Sequence, residues 1–263
     1  MDMSFFYFPL AGLFVGSVVG ATGIGGGAMM TPLLVLLLGV APQTAVGTDL
    51  LYASLTKMFG VGMHSAKGNV DWQVVRRLAI GSLPAATATL SWMHLTNAQS
   101  IGEGVIITTL AFALLFTSLA MVGKPWLNRI GRFARINDPI PFKKLQPPLT
   151  VLAGICLGVL VTLTSIGAGA LGSVMLVFLY PLRLTPIKLV GTDLAHAIPL
   201  ALVAGAGHIY LGNVDFKLLG LLLLGSIPGV LLGAHLGSRL PEKLLRPAIA
   251  GVLALVGIKL LLR

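Results

Sequence analysis

The 263-residue sequence is poor in charge, and acidic residues are the scarcest of its charged groups. Asp, Glu, Lys and Arg together make up 10% of the residues, whereas 56% are hydrophobic and Cys156 is the single cysteine. A soluble domain usually has about 25% charged residues, so this shortage argues against a water-soluble fold. One cysteine excludes an intramolecular disulfide and gives no indication of a redox or metal site.

Long apolar runs take the place of the missing charge. They recur along the chain, and each is long enough to cross a bilayer core of about 30 Å. The formal charge of +10 would suggest a nucleic-acid partner in a soluble protein. Here, however, Lys and Arg cluster in the short gaps between apolar runs, as membrane topology signals do. The sequence therefore predicts an all-α polytopic protein of the lipid bilayer, with no nucleic-acid partner.

The chain contains an internal duplication. Gly-Thr-Asp-Leu at 47–50 recurs at 191–194, an offset of 144, and the turn sequence Gly-Asn-Val-Asp at 68–71 recurs at 212–215. Upstream, at an offset of 142, Thr-x-Ile-Gly-x-Gly-Ala at 22–28 recurs at 164–170. Chance similarity between apolar segments would not align polar residues in order. We therefore predict a first repeat at 1–123, a second at 149–263, and a basic linker loop at 124–148.

Each repeat begins with an apolar stretch that small residues interrupt. As one straight helix, 5–38 would be about 50 Å long, too long for a single crossing. The interruptions at 22–27 and 164–169 are rich in glycine, which predicts a hairpin of two short helices in each repeat. Three spanning helices are then predicted in each repeat, at about 44–63, 74–93 and 104–121, and at about 187–210, 218–236 and 244–262.

Basic residues favour inverted over parallel repeats. Three crossings are an odd number, so the second repeat is inserted upside down if each hairpin returns to its own side or crosses twice. That arrangement puts about fourteen of the eighteen Lys and Arg residues on the side of the linker. The parallel alternative places Arg183, Lys188, Arg239, Lys243 and Arg246 on the opposite side. We therefore predict inverted repeats, with a cytoplasmic linker and both termini outside.

The two glycine-rich breaks are the first candidate for a substrate site. Irregular backbone is tolerated in a membrane only where it is buried in protein or lines a cavity. Helices that start near Ala28 and Ala170 would point N–H groups at the centre, which favours an anion. Alternatively, the glycines only allow close helix packing. The candidate residues at the breaks are Thr22, Gly23, Gly25, Gly26, Gly27, Thr164, Ser165, Gly167 and Gly169.

Ionisable residues within spanning helices are the second candidate, because they are costly there. Each aspartate could interact with helix N-terminal N–H groups or take part in transport. The lysine has no charged match in the other repeat, so it could bind the anion or pair with an aspartate. The histidine could titrate near neutral pH or be a satisfied core residue. With their neighbouring threonines, these candidates are Thr48, Asp49, Lys57, Thr192, Asp193 and His196.

Several motifs together resemble the sulfite exporter TauE/SafE family, which includes 4-toluene sulfonate uptake permease-like proteins. They are the break at 22–27, Val-Gly-Thr at 46–48, His64 followed by Gly-Asn-Val-Asp-Trp at 68–72, and Pro84, with a weaker second copy. The resemblance covers nearly the whole chain except the linker. It implies a carrier of the bacterial inner membrane for sulfur-containing or organic anions such as sulfite, sulfoacetate or thiosulfate.

The predicted function is therefore secondary active transport of a small anion, with sulfite, thiosulfate or a sulfonate as substrate and protons as a candidate coupling ion. A passive anion channel and a carrier of organic carboxylates are the alternatives. No nucleophile and base stand at helical spacing, and no metal cluster or phosphate loop is present, so we expect no enzyme, metal or cofactor. The oligomeric state stays open, a homo-oligomer included.

Overall fold

The computed structural model describes residues 4–22, 27–65, 68–96, 103–137, 139–167, 169–237 and 242–262. Within these ranges the chain forms ten α-helices and no β-strand, so the all-α prediction is confirmed. The helices are α1 (Ser4–Thr22), α2 (Gly27–Leu36), α3 (Pro42–Ser65), α4 (Trp72–Leu95), α5 (Glu103–Asn137), α6 (Pro139–Thr164), α7 (Ala170–Leu179), α8 (Pro186–Tyr210), α9 (Phe216–Gly237) and α10 (Glu242–Leu261).

Residues 124–137 and 139–148 of the basic segment are helical, so the prediction of a loop there is wrong. Helix α5 runs through it to Asn137, and α6 begins at Pro139. Proline is compatible with the first position of a helix, where its missing N–H has no intrahelical partner in any case. Lys and Arg are good helix formers. The 35 residues of α5 extend about 50 Å, well beyond the bilayer core of about 30 Å.

Four helical segments in the described part of the chain are long and apolar enough to cross a membrane. They are Ile107–Ile136, Ile140–Thr164, Pro186–Tyr210 and Phe216–Gly233. Helix α3 carries Asp49 and Lys57, and α4 carries Arg76 and Arg77, which lowers the hydropathy of these two predicted crossings. Most of the described α3 residues are buried within the protein, so their polar groups are shielded from lipid. The fold is that of a multi-pass membrane protein.

Large apolar side chains cover much of the outer surface. On α5, Phe112, Phe116 and Leu119 are more than half exposed, and Leu224 and Leu231 of α9 are exposed as well. In water such a surface would be unusual for a monomer. In a bilayer it is the surface that contacts the acyl chains.

The repeated Gly-Asn-Val-Asp turns begin the fourth helix of each repeat. Gly68 and Gly212 have φ angles of 67° and 74°, in the left-handed region that glycine enters at low cost. Asp71 Oδ1 accepts a hydrogen bond from an N–H in the first turn of α4 (3.3 Å). Asp215 Oδ1 does the same for α9 (2.9 Å). Each aspartate therefore caps the helix that follows it.

The two repeats are interleaved, and the same contacts occur twice. Helix α1 packs along α9, and α6, the equivalent of α1, packs along α4, the equivalent of α9. A Cβ added at Gly12 of α1 would collide with the backbone of Leu222 in α9, and one added at Gly154 of α6 would collide with Leu78 in α4. The sequence offsets of 142 and 144 relate these contacts residue by residue. The sequence repeat is therefore also a repeat in three dimensions.

Candidate functional site: a buried polar cluster between the repeats

The central helices α3 and α8 pack against each other, and each forms a hydrogen bond with the opposite repeat near its beginning. Thr48 Oγ1 accepts a hydrogen bond from the N–H of Asp215 (3.1 Å), and Thr192 Oγ1 accepts one from the N–H of Asp71 (2.9 Å). Asp215 follows the end of α8, and Asp71 follows the end of α3. The beginning of each helix thus lies beside the end of the other. Both threonine hydroxyls bind protein backbone.

Asp49 connects the short helix of the first repeat with the break of the second. Its Oδ2 accepts hydrogen bonds from the hydroxyl (2.6 Å) and the N–H (3.2 Å) of Thr31 in α2. Its Oδ1 is also buried. The buried Ser165 hydroxyl lies beside this carboxylate, within reach of a hydrogen bond to it.

Asp193 is the equivalent of Asp49 in the second repeat, but its neighbours are cations. Its Oδ1 lies so close to Gly172 of α7 that a Cβ at that position would collide with it. Lys57 and Lys124 both attract its carboxylate. Lys124 comes from α5 and donates a hydrogen bond to the Ser173 hydroxyl (3.3 Å). The two short helices α2 and α7 therefore each face a carboxylate of the protein itself.

Lys57 lies within electrostatic reach of carboxylates from both repeats. It is 3% exposed, and it is attracted most strongly by Asp193 and next by Asp49. Among the described residues, the buried Asp, Glu, Lys and Arg side chains are these two aspartates, Lys57 and Lys124. In their ordinary ionised forms the four charges cancel, which matters because an uncompensated buried charge is strongly destabilising.

Two further polar pairs occupy equivalent positions on either side of the cluster. Ser82 Oγ and His196 Nε2 are 2.8 Å apart and both side chains are buried. At the equivalent positions, Tyr52 and Ser226 lie next to each other and are also buried. His196 thus has a partner, as a core histidine does, and it also lies within the electrostatic reach of Lys57.

The break between α6 and α7 has strained backbone. The Thr164 hydroxyl donates to a carbonyl one turn back (2.6 Å) and accepts from the N–H two residues on (3.1 Å), which closes α6. Ser165 has a φ angle of 58°, Gly167 of 118° and Gly169 of 126°. Such angles are rare for residues with a side chain, so the glycines are required by conformation.

The described residues reach only the edges of the break in the first repeat. Thr22 is the last residue of α1, and Gly27 is the first residue of α2. Gly23, Gly25 and Gly26 lie outside the described residues. A substrate-binding role for these five positions therefore stays a prediction.

The structure brings Ser165 and all four predicted ionisable residues into one cluster between the repeats. Sequence reasoning missed several of their neighbours, which are Thr31, Tyr52, Ser82, Lys124, Ser173 and Ser226. The repeat offset pairs Thr31 with Ser173 and Ser82 with Ser226, and this signal could have found those four. Lys124 has no such signal, because it lies among other basic residues and beyond the repeat.

Comparisons with known proteins agree on a single family. The family model described as sulfite exporter TauE/SafE matches residues 8–260. Probable membrane transporter protein YjnA of Bacillus subtilis is 41% identical over 254 residues, which cover 96% of this chain and 98% of YjnA. No solved structure matches the chain.

Two further relatives extend the similarity to lower identity. Probable membrane transporter protein YdhB of Bacillus subtilis is 30% identical over 247 residues, covering 92% of this chain and 96% of YdhB. Probable membrane transporter protein MJ0441 of Methanocaldococcus jannaschii is 23% identical over 270 residues, covering 96% and 94%. The resemblance seen in the sequence motifs is confirmed: the chain belongs to the sulfite exporter TauE/SafE family.

Proposed function

We propose that this membrane protein is a secondary active carrier for a small sulfur-containing anion, such as sulfite, thiosulfate or a sulfonate. The observation that carries the proposal is the buried cluster at the interface of the repeats, in which Lys57 and Lys124 lie within electrostatic reach of buried carboxylates. The family description supplies the substrate class. The names of the relatives, which say only membrane transporter, agree with transport.

The lysines are the groups best suited to bind the anion. Both are less than a tenth exposed, and a charge in such a low-dielectric position attracts its counter-ion far more strongly than in water. Near the beginning of α2, the N–H of Thr31 is already bound to Asp49. An anion would therefore bind between the ammonium groups and shift their pairing with the aspartates.

Alternating access is the mechanism that suits this site. The cluster is closed, and equivalent residues of two interleaved repeats surround it. Helices α3 and α8 are antiparallel, because the contacts of Thr48 and Thr192 place the beginning of each helix beside the end of the other. This arrangement supports inverted repeats. Rocking of one repeat against the other would expose the lysines to each side in turn.

The topology we propose puts the linker at the cytoplasmic face of the bacterial inner membrane. Arg183 forms a bidentate hydrogen bond with Asp71 (2.6 and 2.9 Å), and Arg77 donates to the hydroxyl of Tyr180 (3.1 Å). The turn before α4 and the connection between α7 and α8 are thus part of one surface. Its Lys and Arg content favours the cytoplasmic side.

Two alternatives use the same residues differently. A passive channel would conduct if both ends of the cluster opened together, and a carboxylate carrier would need more room for an organic chain.

Proton coupling through Asp49, Asp193 or His196 is part of the proposal, since buried ionisable groups in transporters commonly serve as proton relays.

Counterflow in proteoliposomes tests the function. Vesicles with the purified protein are loaded with unlabelled thiosulfate and diluted into a trace of ³⁵S-thiosulfate, and the experiment is repeated with sulfite, a sulfonate and acetate. A carrier accumulates label transiently against its gradient. Equilibration without overshoot would indicate a channel, and overshoot with acetate alone would indicate a carboxylate carrier.

A matched pair of variants tests whether transport depends on the buried cluster. Lys124→Met removes a buried ammonium and should abolish the overshoot, whereas Lys144→Met removes an equal charge from an exposed position of α6 and should leave it intact. Equal overshoot in both variants, with equal insertion, would exclude Lys124 from the site.

A further inference from the structure

A basic pocket lies where the ends of α5 and α6 meet the connection between α7 and α8. It has a volume of about 370 Å³, and no residue of the buried cluster lines it. Three of its described lining residues are cationic and none is acidic. The lining includes Arg135, Lys143, Gln146, Tyr180, Leu182 and Arg183. A cleft lined by charge of one sign concentrates ions of the opposite sign, so the basic pocket is suited to an anion.

Arg183 is already oriented in the basic pocket. Its Nε and Nη2 donate hydrogen bonds to the two carboxylate oxygens of Asp71 (2.6 and 2.9 Å), and Nη2 also donates to Gln73 (2.7 Å). The guanidinium carbon lies 5.7 Å from the centre of the Tyr180 ring. A guanidinium has five N–H donors. The two on Nη1 are therefore left for a ligand while the ion pair stays in place.

Hydrogen bonds hold the buried wall of the basic pocket. Tyr180 is fully buried, and its hydroxyl accepts a hydrogen bond from Arg77 (3.1 Å) and pairs with the hydroxyl of Thr150 (2.7 Å). The side-chain amide of Gln146 donates to the carbonyl of Leu179 (2.6 Å). These bonds join α4, α6 and the end of α7. The cations therefore surround a fixed framework, which lowers the entropy cost of binding a ligand.

The basic pocket lies at the level of the lipid headgroups. Arg135 is in the last turn of α5 and near the end of the spanning segment Ile107–Ile136, and Lys143 is in the first turn of the spanning segment Ile140–Thr164. The 30 residues of the first segment extend about 45 Å. A bilayer with its headgroups has about the same thickness. The ends of both segments therefore reach the headgroup region.

Apolar side chains stand beside the cations. Leu182 belongs to the lining, and Ile140 lies on the same face of α6 as Lys143, three residues before it. Both apolar side chains are more than half exposed. A site for an anion from water would not require them, whereas the glycerol and acyl region of a phospholipid would cover them. The surroundings therefore favour a lipid over a free anion.

We propose that the basic pocket binds the phosphate group of an anionic phospholipid, with Arg135, Lys143 and Arg183 as its cationic ligands. Arginine N–H donors match phosphate oxygens, and lysine supplies a point charge. Basic pockets between membrane helices commonly bind anionic headgroups. Phosphatidylcholine is disfavoured, because the cations would repel its ammonium group. The lipid site is separate from the proposed transport site and does not depend on which anion is carried.

Thermal unfolding of the purified full-length protein in a neutral detergent tests the lipid site. Phosphatidylglycerol, phosphatidylcholine and inorganic phosphate are titrated separately. A ligand that binds only the folded state raises the unfolding midpoint. We expect such a rise with phosphatidylglycerol at concentrations at which the other two have little effect. An equal rise with phosphatidylcholine would contradict recognition of the negative charge, and an equal rise with inorganic phosphate would contradict a lipid as the source.

Neighbouring lysines provide a matched pair of variants. Lys143→Gln removes a cation from the basic pocket, whereas Lys144→Gln removes one that is also exposed but does not line it. Lys143→Gln should require about fivefold more phosphatidylglycerol for half of the midpoint shift. Lys144→Gln should behave as the wild type does. An equal loss in both variants would indicate general attraction between basic residues and anionic lipid, and would overturn the pocket.

Native mass spectrometry provides a readout that does not depend on stability. At the same collision energy, the wild type and Lys144→Gln should retain a phosphatidylglycerol molecule more often than Lys143→Gln. Arg135→Gln should repeat the loss, with Arg132→Gln as its control, because Arg132 is exposed on α5 and does not line the basic pocket. Equal retention by the wild type, Lys143→Gln and Arg135→Gln would overturn the lipid site.

Discussion

Lys57 is the buried lysine that carboxylates of both repeats attract. It is buried in α3, and the carboxylate that attracts it most strongly belongs to α8 of the other repeat. Sequence reasoning allowed pairing with either aspartate or direct binding of the anion. The geometry makes these roles compatible, because a lysine shared between two carboxylates can exchange one of them for a substrate.

A mutant cycle at Lys57 tests this double role. Lys57→Met should destabilise the protein by about 3–5 kcal/mol, the cost of leaving a buried partner unpaired. Adding Asp193→Asn should restore the unfolding midpoint more completely than adding Asp49→Asn, because Asp193 is the stronger partner. Transport should stay low in each double variant, since the ammonium is still missing. Full transport in the stable double variant would exclude Lys57 from the substrate site.

At Gly167, the backbone conformation restricts substitution more than a lack of space does. A Cβ there would meet its nearest neighbour at 3.5 Å, an ordinary contact, but the φ angle is 118°. Gly167→Ala should therefore destabilise by about 1–3 kcal/mol and lower transport. The matched control is Gly220→Ala in α9, where a Cβ meets nothing within 4 Å and helix propensity improves. An unfolding midpoint unchanged by Gly167→Ala would contradict the strained break.

At the scale of elements, glycine contacts hold the crossed helix pairs together. Gly16 of α1 lies against the backbone of Ser226 in α9, and Gly158 of α6 lies against Ser82 in α4. These are equivalent contacts in the two repeats. Both serines also belong to the polar pairs that flank the cluster. Helix packing and site geometry are therefore set by the same contacts.

Bulky residues at these contacts should have matched effects. Gly16→Val and Gly158→Val should each lower the unfolding midpoint and impair transport, because the helices would have to separate. Gly251→Val in α10, where a Cβ meets nothing within 4 Å, is the control. A large effect at Gly16 with none at Gly158, measured in the same detergent, would argue against equivalent packing of the two helix pairs.

At the scale of the whole molecule, interleaving makes the two repeats one folding unit. Helices α1 and α6 each pack mainly on the opposite repeat, and the turns before α4 and α9 are bonded across as well. A single repeat would expose the faces that these contacts bury. The pairing also leaves the cluster at the interface, where movement between the repeats can reach it.

Cysteine labelling tests the proposed topology. Starting from Cys156→Ser, because Cys156 is exposed, a cysteine is placed at the exposed Arg132 of α5 or added after Arg263. A membrane-impermeant maleimide should label the C-terminal cysteine in intact cells and the Arg132→Cys variant only after permeabilisation. Protection of the C-terminal cysteine in intact cells would rule out a C-terminus on the outside.

The sequence by itself determined the features that depend on residue type and local pattern. Shortage of charge and long apolar runs indicated a helical membrane protein, self-similarity revealed the repeat, and glycine clusters marked the helix breaks. The motifs also led to the correct family. These signals are readable in one chain because hydropathy, periodicity and glycine content act over short distances along the sequence.

The tertiary structure decided which groups share the site, because those contacts join distant parts of the chain. The hydrogen bonds of Thr192 with Asp71 and of Thr48 with Asp215 span 121 and 167 residues. Packing also placed Lys124, which the sequence assigned to a linker loop, in a buried position beside Asp193. Asp49 and Asp193 occupy equivalent positions in the two repeats and nevertheless have different neighbours. Local pattern cannot encode that difference, since it arises from packing between elements far apart in the chain: Lys124 belongs to α5 and Asp193 to α8.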